Sequence, residues 1–188
     1  MEHAAPEGSG AMSAVLGMDA EVIEDVLNGR EGVSIANYNC PGQIVITGEA
    51  AAVAEAGTAL KEAGARRVLP LKVSGPFHSP MMRPAGEELA KVFAGVSMNP
   101  LKIPYVANIN AEVITDCGRI EGLLVEQVSG SVRWQQSVET MIREGVDTFV
   151  EIGPGKTLTG FLRKIDKNVK AYHIGSWEEA VQVCEELK

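Results

Sequence analysis

Basic residues are scarce in this chain of 188 residues: 17 Lys and Arg stand against 25 Asp and Glu, for a formal net charge of −8. A nucleic-acid binder needs a basic footprint, so that class of partner is disfavoured. Cysteines are few as well. Cys40, Cys117 and Cys184 are odd in number and far apart, so they build neither a disulfide framework nor a metal site and point to a reducing, cytoplasmic compartment. No apolar run reaches the length of a membrane span, and the opening residues MEHAAPEGSG, small and polar, do not read as a signal peptide. What is present is ordinary globular usage, 45% hydrophobic and 22% charged. That suits one packed domain or two small intertwined ones.

The first part of the chain alternates short elements. Residues 11–18 form an apolar run of strand length, and Asp19 offers an N-cap to an acidic helix ending at Asn28-Gly29. VSIANYN at 33–39 and QIVITG at 43–48 alternate like strands, joined by a turn at Cys40-Pro41-Gly42. An alanine-rich helix over 49–64, with Val53, Ala56 and Leu60 at helical spacing, leads to a strand over 66–73 whose Pro70 favours an edge position or a bulge. The order β-α-β-β-α-β over 10–73 is that of a ferredoxin-like module.

After Val73 the texture changes. Ser79-Pro80 reads as a serine-capped helix start, the helix reaching about Ala94 with a bend at Pro84. Strands are expected at 103–108, 148–152 and 170–174, the middle one buried. Helices are expected at 121–129, 135–144, 156–165 and 176–187, the last with a capping box from Ser176 to Glu179. This pattern predicts an α/β layer with a mainly parallel sheet, and three strands are too few to complete one. The division expected is a loose segment over 1–9, the small subdomain over 10–73, and a second region over 74–188.

His78 lies in VSGPFHSP, a Gly-Pro turn between a strand end and a helix start, where catalytic groups tend to be displayed. Of the other histidines, His3 falls in the loose terminus and His173 in a strand. Alone, a histidine beside a proline turn is more often structural. Its company is more specific: PEGSGAM at 6–12, NYNCPGQIVITG at 37–48, GPFHSPMM at 75–82, VEQV at 125–128 and EIGPGKTLTG at 151–160 occur in this order. Together they strongly resemble the malonyl-CoA:acyl-carrier-protein transacylases, from Met1 to about Gly175.

The resemblance implies a fold and a chemistry. Residues 74–188 become the trailing part of an α/β-hydrolase-like acyltransferase domain into which the ferredoxin-like unit is inserted. The reaction implied is ping-pong transfer of malonyl from malonyl-CoA, through a malonyl-serine, to the phosphopantetheine thiol of acyl-carrier protein, with no cofactor or metal of the chain's own. His78 matches the family's general base and acid. Gln127 matches a glutamine whose main-chain carbonyl accepts the histidine's other N–H; without the likeness it reads as an exposed helix residue. Asn39 matches an asparagine lining the cleft, and otherwise reads as a turn residue. Phe77 goes with malonyl rather than methylmalonyl selection, since its ring fills the space of an α-methyl branch; its bland alternative is a core aromatic. Arg66 and Arg67 fall in a region that contacts the acidic carrier protein, or else are simply solvated.

No G-x-S-x-G elbow occurs among the 188 residues. The nearest stretch, Gly32-Val33-Ser34-Ile35-Ala36, opens a strand rather than a strand-to-helix turn. The family's G-Q-G-S motif and its malonate-binding arginine have no match either. Gly153-Pro154-Gly155-Lys156 lacks the spacing of a P-loop and reads as a strand-to-helix turn. The chain alone is therefore expected to be inactive in malonyl transfer. Uncovered strand edges and apolar faces predict a homodimer, or an amino-terminal half covering the sheet. The competing reading is a non-catalytic module that binds acyl-carrier protein.

Overall fold

Two faces of one antiparallel sheet organise the first part of the chain. The computed structural model describes residues 4–6 and 8–187, so His3 and Glu7 lie outside the described residues. Strand β1 (Gly10–Leu16) is followed by α1 (Ala20–Leu27), the hairpin β2 (Val33–Cys40) and β3 (Gln43–Glu49), α2 (Ala50–Glu62) and β4 (Arg67–Pro70). The strand order is β2-β3-β1-β4, every pairing antiparallel.

The period-two alternation sorts the side chains. Val15, Ile35, Ile44 and Ile46 meet Ile23 of α1 and Val53, Ala56 and Leu60 of α2 in the main core. Full burial of each Val, Ile or Leu side chain contributes about 1.5–3 kcal/mol. Met12, Ala14, Ala36 and Val45 form a smaller cluster on the opposite face, against which Phe77 packs. The β2–β3 ladder shifts register between Ile35 and Asn37 and again between Tyr38 and Cys40, so Ala36 and Asn39 are the extra residues of two bulges.

Several expectations change here. Asp19 stands at the N-cap of α1, but its side chain makes no capping bond. Strand β4 stops at Pro70, on the sheet's outer edge as a missing N–H requires. The helix expected from 79 to 94 is split into a 3-10 turn, Pro80–Met82, and α3, Arg83–Phe93. Pro84, in the first turn of α3, has no N–H to return to residue 80, so one unbroken helix is disfavoured.

The strand expected over 103–108 shrinks to β5 (Tyr105–Val106), paired antiparallel with β6 (Val113–Ile114), and Ile103 is 77% exposed. A 3-10 turn, Cys117–Arg119, leads into α4 (Ile120–Ser129), and α5 (Trp134–Arg143) comes next. Parallel pairing exists between β7 (Thr148–Ile152) and β8 (Lys170–Ile174), flanked by α6 (Thr157–Ile165) and α7 (Trp177–Glu186). The first of the three expected strands thus does not join the parallel pair.

β7 is not buried: its residues are half-exposed and Ile152 is 79% exposed. The capping box of α7 is offset by one residue. Ser176 Oγ accepts from Glu179 N at 3.2 Å, while the Glu179 carboxylate reaches back to the N–H of Gly175 at 2.6 Å. Taken whole, the chain is a mixed α/β structure.

Candidate functional site

His78 has a φ of 57°, a left-handed backbone that a non-glycine residue holds only under constraint, at roughly 1–2 kcal/mol. The constraints are local and specific. Phe77 N donates to Gly75 O at 3.0 Å, and the buried Ser79 hydroxyl donates to Pro76 O at 2.6 Å. Met82 N then returns to Ser79 O at 2.9 Å to start the 3-10 turn. The side-chain helix cap expected of Ser79 is not made; the hydroxyl closes the preceding turn instead. Pro76 sits so tightly on Gly10 that any Cβ there would overlap its ring. That explains the second glycine of PEGSGAM, Gly10.

The His78 ring is half-buried, and its Nδ1 lies 3.0 Å from the main-chain oxygen of Gln127. The last four carbonyls of a helix have no partner within it. Glu126 O is taken by Gly130 N at 2.9 Å, where α4 ends. The next carbonyl, that of Gln127, turns to the imidazole. With a carbonyl as its partner, Nδ1 must carry the proton, which leaves the lone pair on Nε2.

Gln127 is half-buried rather than exposed. Its Nε2 donates to Gly130 O at 3.0 Å and more weakly to Ser131 O at 3.4 Å, while Oε1 is buried without a partner. The side chain therefore shapes the end of the helix whose carbonyl serves His78. α3 seats α4 through the buried Gly86, where a Cβ would lie 3.1 Å from Val125 O.

Sequence reasoning missed the contacts made just beyond α4. Ser131 Oγ donates to Ile35 O at 2.6 Å, Val132 N to Ala36 O at 2.7 Å and Tyr38 N to Val132 O at 2.9 Å. This short parallel bridge pairs Val132 with Asn37 at the first bulge of β2. Arg133 stands 5.5 Å over the Tyr38 ring, a cation–π arrangement. Tyr38 OH donates to Glu24 at 2.7 Å. Burial foremost, then the bond to and the charge of Glu24, push its pKa up to about 12 against the opposing pull of Arg133. The only advance sign was the two asparagines in NYN, residue types that tolerate irregular backbone.

The remaining predicted residues are distributed unevenly. Phe77 adjoins His78, and its half-buried ring lies on the Met12, Ala14, Ala36 and Val45 face. Asn39 is half-buried within β2, at its second bulge, and so belongs to a strand rather than a turn. Arg66 and Arg67 are exposed, one against Gly17 and the other opposite Leu16. Pro76 meets the other end of β1 at Gly10, so the arginines stand roughly 20 Å from the histidine loop, at about 3.3 Å per strand residue. The structure does not bring them to it. Ser34 pairs with Thr47 inside the ladder, with no elbow geometry. Gly153–Lys156 is a turn whose helix, α6, is capped from outside: the Glu151 carboxylate accepts from Leu158 N, Thr159 N and Thr159 Oγ at 3.0, 2.7 and 2.6 Å. Among the described residues no His, Cys, Asp and Glu cluster could hold a metal ion.

The acyl transferase domain family matches residues 1–183. A malonyl CoA-acyl carrier protein transacylase of Bacillus subtilis is 43% identical over 192 aligned residues, covering all of this chain and 61% of the relative. That of Escherichia coli K12 is 43% identical over 169, covering 88% of this chain and 54% of its own. The crystal structure of the Clostridium perfringens protein of that name superposes with a TM-score of 0.94 at 40% identity, covering 100% of this chain and 60% of that one. A complex of a type II PKS acyl-carrier protein with its malonyl-transacylase gives 0.91 at 38%, covering 98% and 61%. The chain thus spans about 60% of the length of these relatives, or a little less.

Proposed function

This chain belongs to the acyl transferase domain family, and from that premise we propose that it serves malonyl transfer from malonyl-CoA to the phosphopantetheine thiol of an acyl-carrier protein. One observation carries the reading: the left-handed His78 with its Nδ1 on the Gln127 carbonyl. That arrangement leaves the lone pair of Nε2 free to accept a proton. In the proposed sequence Nε2 takes the proton of a serine hydroxyl as its oxygen attacks the malonyl thioester. The imidazolium returns the proton to the departing CoA sulfur, leaving a malonyl-serine ester. The carrier's thiol then gives its proton to Nε2, attacks the ester, and the serine oxygen recovers the proton. Gln127 positions the ring through its carbonyl without touching the substrate.

No G-x-S-x-G segment lies within these 188 residues. The serine, and an arginine for the malonate carboxylate, are therefore assigned to polypeptide outside them, and the 188 residues alone are proposed to form no acyl-serine. Asn39 is assigned to the cleft wall and Phe77 to exclusion of an α-methyl branch. Arg66 and Arg67 are assigned to the acidic carrier protein, a reading supported by their exposure and by the carrier complex of a relative.

We read 10–73 as a ferredoxin-like subdomain, which the order β2-β3-β1-β4 with both helices on one face supports. The segment 1–9 precedes it, and 74–188 is read as the trailing part of the larger acyltransferase domain. Ile152 and Leu158 line a shallow apolar cleft beside β7, whose outer edge pairs with no strand among the described residues. A second copy or a preceding segment is proposed to cover that face. The free cysteines fit a reducing cytoplasm.

Incubation of the 188 residues with radiolabelled malonyl-CoA, alone and joined to the preceding portion of the Bacillus subtilis relative, tests the proposal. Label is expected on the joined protein only, with transfer to carrier protein. Label on the 188 residues alone would overturn the assignment of the serine. A joined protein that acylates but whose transfer ignores loss of His78 would overturn the assignment of the base. Carrier binding without acylation in either form would favour the binding-module reading.

A further inference from the structure

Ser79 is fully buried, and its hydroxyl serves neither the helix it precedes nor any group beyond its own turn. It donates instead to Pro76 O at 2.6 Å, a short bond that spans Phe77 and His78. The two residues it encloses include the one with φ 57°. Such a turn relaxes readily toward the common backbone regions unless it is closed. Relaxation at His78 would swing the ring, and the Nδ1 to Gln127 contact, which joins segments 49 residues apart, has little slack at 3.0 Å.

From this geometry we infer that Ser79 is a positioning residue. Its hydroxyl locks the left-handed turn, and through the turn it fixes His78 in the Nδ1–H tautomer. The inference rests on the reading of His78 as the proton-transfer group. Two further observations make the lock specific. Pro76, the acceptor, is itself fixed against Gly10, so the hydroxyl ties His78 to β1 and not to a free loop. Ser79 O also starts the 3-10 turn through Met82 N, so the residue fastens both sides of the histidine.

Neutral imidazole free in water favours the Nε2–H form, so the lock leaves a signature that a merely structural serine would not. The test uses the 188-residue chain with 15N-labelled histidine and long-range proton–nitrogen correlation above the imidazole pKa, His78 being assigned by its loss in H78Q. In the unaltered chain the His78 ring is expected as Nδ1–H alone. In S79A the pattern is expected to shift to a mixture dominated by Nε2–H, with backbone amide signals outside 74–84 unmoved. S79C, which fills the same space with a poor donor, is expected to shift the same way. It decides the matter if S79A unfolds. Retention of Nδ1–H in a folded variant overturns the inference, as does unfolding of both. If the unaltered chain itself lacks Nδ1–H, the functional reading of His78 fails, an outcome distinct from failure of the role of Ser79.

Discussion

The Nδ1 atom of His78 and the main-chain oxygen of Gln127 lie 3.0 Å apart across 49 residues of sequence. Because the acceptor is backbone, a side-chain change at 127 and one at 78 are unequal. In the protein joined to the Bacillus subtilis segment, H78A is expected to lower kcat for malonyl transfer by about 10²–10⁴-fold, the usual range for a general acid–base group. Q127A is expected to cost less than about tenfold, through the loosened helix end, since the orienting carbonyl remains. Equal losses would show that the amide side chain does the orienting.

On the role proposed for Phe77, one ring ties selectivity to stability. F77S opens room for an α-methyl branch, so the ratio of kcat/KM for malonyl over methylmalonyl is expected to fall by roughly 10–200-fold. The same change strips the ring from Met12, Ala14, Ala36 and Val45, and lower thermal stability should accompany it. Unchanged selectivity with the expected destabilisation would make Phe77 a packing residue only.

Tyr38 offers an alkaline signature. Its phenol is held neutral to about 12, against an ordinary 10.0. A raised pKa of this kind contributes stability that is whole below pH 10 and is lost as pH rises toward 12. A titration followed at 295 nm should show a late-ionising tyrosine that Y38F removes. A late phase that survives in Y38F would contradict the assignment.

Glu151 acts at the opposite end of the pH scale. Burial alone would raise its pKa, but bonds from the Thr159 hydroxyl, Thr159 N and Leu158 N, with help from His173, outweigh burial and hold it below the ordinary 4.5. A depressed carboxyl contributes stability that is present above the unfolded pKa and lost as pH falls through the folded one. E151Q should therefore lower the melting temperature at pH 7, as loss of a helix cap of about 0.5–2 kcal/mol would. The difference from the unaltered chain should close as pH falls well below 4.5. A gap that persists unchanged at low pH would show that charge is not the source.

Much of the first part of the chain was legible because its signal is periodic. Alternation in 33–39 and 43–48, and the spacing of Val53, Ala56 and Leu60, name strand and helix without tertiary knowledge. The second part was harder for identifiable reasons. Val113–Ile114 is too short to show any period. Thr148–Ile152 looked buried because it is apolar, yet composition reports what a strand prefers and not what covers it. Ser79 resembled a cap because serine before proline normally is one, and the competing acceptor three residues back is a matter of turn geometry. Nothing in the pattern linked residue 78 to residue 127; only the family likeness did. The Ser131–Val132 bridge carried no signal of its own, since two residues find their register only against the bulge that receives them.

That bridge has a mechanical consequence. By pairing with Asn37 just past the end of α4, Val132 fastens the antiparallel layer to the helix whose carbonyl meets the imidazole. Separating the two would break three hydrogen bonds, from Ser131 Oγ to Ile35 O, Val132 N to Ala36 O and Tyr38 N to Val132 O. The helix end that faces His78 is thereby tethered to the sheet as well as to the ring.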